Sequence, residues 1–310
     1  MKTKIRIFCW WTHDQPSVSI IHRVVSQLKL NEHHFEDFEF VTDDSYEWAV
    51  VFGKLGDNVL KTDKQHTIFF GMEPTWSYNI DRHAVDYSDW VFVQSRNIFD
   101  HDNEKVIEGP NYMLYGGGGD YEWELERIKD WNLTKTQNIS MIVSNSPDNM
   151  WWVPADAPHI YRKRMNVANL IIDNNLPVDV YGKQWNANGR CKGEANNKRD
   201  ALCSYRFSVG IENTAENFYT TEKFTDNLLT NTIPIYFGSP NISEYYDSRG
   251  YIQLPNLDNL EAVKQVLIDI ESNASQLYEQ MLPFCMKNKE IFLTQFNILN
   301  KIEKVVKGEN

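Results

Sequence analysis

The sequence predicts an α/β protein of two domains, each built on a parallel sheet with helices on its faces. Three observations carry this. Short β-rich runs alternate with helical patterns twice along the chain, as in successive βαβ units. Several runs, such as residues 67–71 and 233–237, are apolar throughout and read as strands buried on both faces. The 310 residues, 42% hydrophobic and 13% aromatic, suffice for two domains of about 150 residues, each with its own core.

Residues 4–11 form the first strand, and a polar turn follows through His13, Asp14 and Pro16. Residues 18–30 carry Ile20, Ile21, Val24, Val25 and Leu28 at helical spacing. Residues 38–41 and 48–52 read as strands. Asp43 and Asp44 between them are acids of the kind that bind metal, but acidic loop residues are far more often solvated. Residues 67–71 make a strand, the loop after it carries Glu73, and residues 90–94 make another. Residues 113–115 are expected to close this half. Gly116 to Gly119 lack the Lys-Ser/Thr of a phosphate loop and a following helix, so they read as a turn.

The second half opens with a strand at 139–143, then a breaker-rich loop at 146–158 holding Trp151 and Trp152. Residues 161–172 are helical and 178–182 are a strand and turn. Residues 184–197 form a polar loop, expected to be mobile. A helical turn at 198–204 leads into residues 205–238, and helical patterns run from 257 to about 306. The expected domains are 1–137 and 138–285, with a helical tail at 286–310. Each reads as Rossmann-like, the two facing across a cleft.

The formal charge of −12 argues against nucleic-acid binding, which needs a basic footprint. Any anionic ligand must be held by a local basic cluster. Four scattered cysteines without a CxxC pair indicate reduced thiols and a cytoplasmic location. The start of the sequence leads directly into a strand, leaving no room for a signal peptide, and no apolar run reaches the roughly 20 residues of a transmembrane segment. The histidines share no ligand spacing with acids or cysteines, so no metal site is expected.

The stretch from Tyr205 to Gly238 organises the rest. It reads as strand, polar loop, helix, buried strand, with Thr220 and Thr221 as helix caps and Glu222 in the first turn. Exposed N–H groups, the helix dipole and Lys223 would make an anion site suited to a diphosphate. An ordinary βαβ unit with a solvated loop explains the same pattern, and both readings stand at this point.

Ile211-Glu212-Asn213, Tyr219-Thr220-Thr221-Glu222-Lys223 and Thr232-Ile233-Pro234-Ile235-Tyr236-Phe237-Gly238 resemble the donor signature of the α-1,3/1,4-fucosyltransferases, glycosyltransferase family ten. Ser144-Asn145, Arg164 and Val178-Asp179-Val180-Tyr181-Gly182 follow the family's order, so the resemblance covers about residues 139–285. Upstream it thins to Phe69-Phe70-Gly71-Met72-Glu73-Pro74. Gly210 and Ile211 depart from the family, which commonly has a bulky residue and Phe there. The membrane anchor and stem of the animal members are not expected here.

The resemblance implies a GT-B fold and an inverting, metal-independent transfer of L-fucose from GDP-fucose to a hydroxyl of an oligosaccharide acceptor. Arg164 and Lys223 would bind the diphosphate, with Arg162 the alternative if the register slips by a turn. Glu212, Asn213, Tyr219 and Glu222 would line the donor pocket, Glu222 on the ribose hydroxyls. Glu73 would be the base, and Trp151 and Trp152 would stack on acceptor. Another GDP-sugar donor, or a non-catalytic nucleotide- or carbohydrate-binding protein of this fold, are the alternatives.

Overall fold

The structure, a computed structural model, describes residues 2–9, 37–99, 106–110, 132–145, 157–296 and 298–309. The expected helix at 18–30, the strand at 113–115, Gly116 to Gly119, and Trp151 and Trp152 lie outside the described residues.

The chain forms two compact units. The first comprises Met1–Leu114, Glu216–Tyr219 and Leu293–Asn310, and the second comprises Tyr115–Ala215 and Thr220–Phe292. The first unit holds β1 (Thr3–Cys9), β2 (Phe38–Phe40), β3 (Trp48–Phe52), β4 (Thr67–Phe70), β5 (Trp90–Val93) and β6 (Val106–Glu108). Their order is β2-β1-β3-β4-β5-β6, and every pairing is parallel. β4 is buried along its whole length, as its unbroken apolar run requires. Phe70 stacks on Phe92 at 5.0 Å. Asp44 meets Arg6 at 2.6 Å and Lys61 at 2.7 Å, a surface ion-pair cluster.

The second unit holds β7 (Gln137–Ile142), β8 (Asp179–Tyr181), β9 (Cys191–Gly193), β10 (Tyr205–Ile211), β11 (Ile233–Phe237) and β12 (Ile252–Gln253). The order is β12-β11-β10-β7-β8-β9, again all parallel. From β7 the chain builds outward to β9, returns to β10 beside β7, and then builds the other way. This is the doubly wound order, and its direction reverses between β7 and β10. The helices are α1 (Tyr161–Asp173), α2 (Glu222–Leu229), α3 (Leu260–Ser272) and α4 (Ala274–Ile291). β9 runs through the stretch that the sequence reads as a mobile polar loop, so that expectation is corrected: Cys191 and Gly193 are buried against β8.

A π-helical turn, Phe292–Phe296, leads to α5 (Ile298–Lys307), which belongs to the first unit. Ile298, Leu299, Ile302 and Val305 are buried there, and Lys301 Nζ donates to Pro110 O at 2.7 Å.

Candidate functional site

α2 follows β10 and owes its start to local chemistry. Thr221 is the N-cap, its hydroxyl accepting from Lys223 N–H at 3.4 Å. Gly210 in β10 lets the helix lie directly on the strand, since a Cβ there would sit 2.3 Å from Lys223 O. Phe224 anchors the other face, edge-on to Tyr236 at 4.9 Å.

Beneath the cap lies Glu212, which is fully buried. Its carboxylate accepts from Thr221 N–H and from the Thr221 hydroxyl, each at 2.7 Å, and Lys223 Nζ is 3.6 Å away. Gly238 makes room for it, because a Cβ at that position would stand 2.4 Å from Glu212 Cγ. Burial pushes the Glu212 carboxyl above the usual carboxylate range, against the pull of Lys223 and the Thr221 donors. Glu212 is thus bound to the helix start by its own hydrogen bonds.

A cavity of about 580 Å³ opens in the second unit along the carboxyl ends of β7, β8, β9 and β10, a size suited to a small ligand. Arg164, Glu222 and Lys223 all line it. Arg164, in the first turn of α1, donates from Nη1 to Ile211 O at 3.1 Å and to Asn213 Oδ1 at 3.0 Å, and its guanidinium lies over Tyr161 at 4.9 Å. Arg162 is exposed and does not line the cavity. Lys223 Nζ lies 3.0 Å from Glu222 Oε1. Burial disfavours the charge on both side chains, yet the pairing prevails. Glu222 is held down to about 2 by Lys223 and Lys198, and Lys223 is raised by Glu222 and Glu212.

Of the other expected donor residues, Asn213 steadies Arg164 from outside the cavity lining, and Tyr219 is buried within the Glu216–Tyr219 segment of the first unit. In that same unit Glu73 stands in the loop after β4, with Gln94 Nε2 donating to its carbonyl at 3.0 Å. Sequence reasoning missed Lys198. It lines the cavity and meets Asp226 of α2 at 2.5 Å, both side chains being largely buried. Burial raises Asp226 to about 6, Lys198 opposing the rise. The signal was present: Asp226-Asn227 interrupt the apolar face of α2, and a buried acid calls for a cation. Among the described residues no group of three His, Cys, Asp or Glu side chains is placed to hold a metal ion. No described helix is long and apolar enough to cross a membrane.

Arg164, Lys223 and the first turn of α2 thus share one cavity at the switch point of a doubly wound sheet. Comparisons with known proteins agree with the fold. An α1,3-fucosyltransferase solved with GDP-fucose superposes with a TM-score of 0.56 at 18% identity, over 99% of this chain and 90% of that one. The same kind of protein solved with GDP gives 0.56 at 17% identity, over 100% and 91%. These likenesses place the chain in the GT-B fold class.

In sequence, the α-(1,3)-fucosyltransferase FucT of Helicobacter pylori is 22% identical over 284 residues, 73% of this chain and 58% of that protein. A fucosyltransferase-like protein of Arabidopsis thaliana is 30% identical over 121 residues, 38% of this chain and 22% of that protein. The chain therefore spans less than two thirds of the length of either relative. The family model for the C-terminal part of glycosyltransferase family 10 (fucosyltransferase) matches residues 133–288, about half of the sequence and nearly the whole second unit. The chain belongs to glycosyltransferase family 10, the fucosyltransferases.

Proposed function

We propose that this protein moves L-fucose from GDP-fucose to a hydroxyl of an oligosaccharide acceptor, with inversion and without a metal ion. The observation that carries this is the gathering of Arg164, Lys223 and the α2 N-terminus on one cavity in a family 10 chain. As the bond between the anomeric carbon and the diphosphate oxygen breaks, negative charge grows on the departing GDP. Arg164 stabilises it with a planar fork and Lys223 as a point charge, while the first N–H groups of α2 are taken up by Glu212 and the Thr221 cap. Glu222 takes the ribose hydroxyls. Arg164 and Lys223 are the positive groups that would balance the leaving group in place of a cation.

On the acceptor side, Glu73 takes the proton from the attacking hydroxyl, whose oxygen forms the new bond from the face opposite the leaving group. Trp151 and Trp152 offer rings for the acceptor sugar to stack on. A cytoplasmic location belongs to the same proposal, supported by four buried thiols.

Calorimetric titration with GDP, UDP and ADP in the presence of a chelator tests the donor reading. Selective GDP binding supports it, and a preference for UDP or ADP overturns it. NMR of the product formed from GDP-fucose reads the anomeric outcome. Glu73→Gln is expected to keep GDP affinity while turnover falls about 10²–10⁴-fold. Normal turnover would remove Glu73 from the role of base.

A further inference from the structure

We infer that Lys183 and Glu194 read the nucleobase of the donor and select guanine. This deepens the function proposed above and rests on it. The cavity runs across the sheet in the order β10, β7, β8, β9, and its phosphate-binding groups stand at the β10 end. Neighbouring strands lie about 4.8 Å apart, so the ends of β8 and β9 are roughly 10 and 14 Å from β10. That is the span by which an extended nucleoside diphosphate separates its phosphates from its base. A donor with its diphosphate at the start of α2 lays its base over the ends of β8 and β9.

Lys183 and Glu194 are the charged side chains that line the cavity there, Lys183 two residues beyond β8 and Glu194 one beyond β9. Their backbones are pinned. Gly182 N–H donates to Gly193 O at 2.9 Å, and Asn145 N–H donates to Lys183 O at 2.9 Å. Gly182 has φ +155 and admits no side chain, because a Cβ would lie 1.9 Å from Val143 O. Lys183 Nζ and Glu194 Oε1 are 3.8 Å apart, with side chains 71% and 61% exposed. An exposed pair at that separation is weak and yields readily to a ligand.

The pair matches guanine in order and polarity. Guanine carries an acceptor, O6, next to two donors, N1–H and the N2 amine. A carboxylate accepts from both donors, and a lysine ammonium donates to O6. Uracil presents acceptor, donor, acceptor, which sets a carbonyl against the carboxylate. Adenine has an acceptor at N1 and no donor at C2. A mismatched base leaves polar groups unpaired as the site closes on it, the strongest basis for discrimination.

The test uses GDP, inosine diphosphate (which lacks only the N2 amine), and pyrophosphate. The wild type is expected to favour GDP over inosine diphosphate by about tenfold, the discrimination of one good polar contact. Glu194→Gln should weaken GDP by about tenfold or more and bring the two nucleotides level, leaving pyrophosphate unchanged. Lys183→Met should weaken both nucleotides together, since each carries O6, again with pyrophosphate unchanged. Both positions are exposed, and thermal unfolding checks that each variant folds like the wild type. If the wild type favours GDP but Glu194→Gln keeps the ratio of GDP to inosine diphosphate, or weakens pyrophosphate as much as GDP, the inference is overturned while the donor reading stands. If the wild type favours UDP or ADP, the donor reading itself fails.

Discussion

Replacing Glu212 by alanine separates holding the start of α2 from touching a ligand. The carboxylate accepts two hydrogen bonds of 2.7 Å from Thr221 and has Lys223 at 3.6 Å. Hydrogen bonds to a charged group contribute about 1.5–3 kcal/mol each, so the two together contribute about 3–6 kcal/mol. Relief from burying a carboxylate offsets part of this, and the net loss is expected to be roughly 3 kcal/mol. For a unit of this size that lowers Tm by roughly 6–12 °C. GDP affinity should fall with it, because the Thr221–Lys223 turn loses its anchor. Differential scanning calorimetry and GDP titration on the same samples read both effects, and Glu212→Gln should fall between wild type and alanine. An unchanged Tm together with abolished GDP binding would refute the reasoning, since the carboxylate would then be meeting the donor directly.

Gly210→Ala should destabilise by about 1–3 kcal/mol through overpacking and also weaken GDP. The added Cβ would stand 2.3 Å from the Lys223 carbonyl, a backbone atom that moves only with the helix; thermal unfolding measures the cost. Lys198→Met leaves Asp226 buried without its cation and should cost about 3–5 kcal/mol in urea denaturation. Adding Asp226→Asn should recover much of that loss; a double variant no more stable than the single would deny that the pair is the reason. Glu222 has a folded-state value of about 2 against 4.5 unfolded, so its stabilisation is complete above 4.5 and is lost as pH falls towards 2. Asp226 runs the other way. Its value rises from 3.8 to about 6, so stability declines as pH climbs through that interval and then levels off. Tm followed from pH 3 to pH 8 should show the acid limb flattened in Glu222→Gln and the higher decline flattened in Asp226→Asn.

Local chemistry made much of this legible in advance. The buried runs at β4, β10 and β11 announce themselves by composition, and Thr221 with Glu222 marks the start of α2 by cap and dipole alone. β6 and β9 were not legible. Each has three residues and too little apolar pattern, and each exists because a neighbouring strand supplies the ladder. The place of Glu212 was hidden for a related reason. Its burial depends on Thr221 and Gly238, which only the folded chain brings against it. Lys198 escaped because its partner lies 28 residues further on, across β10.

The first unit is completed by α5, whose Lys301 reaches a carbonyl 191 positions earlier at Pro110. During synthesis the strands of that unit leave the ribosome long before the helix that covers them. Between those moments the whole second unit emerges and has time to fold. The unit whose strands are translated first is therefore the one finished last.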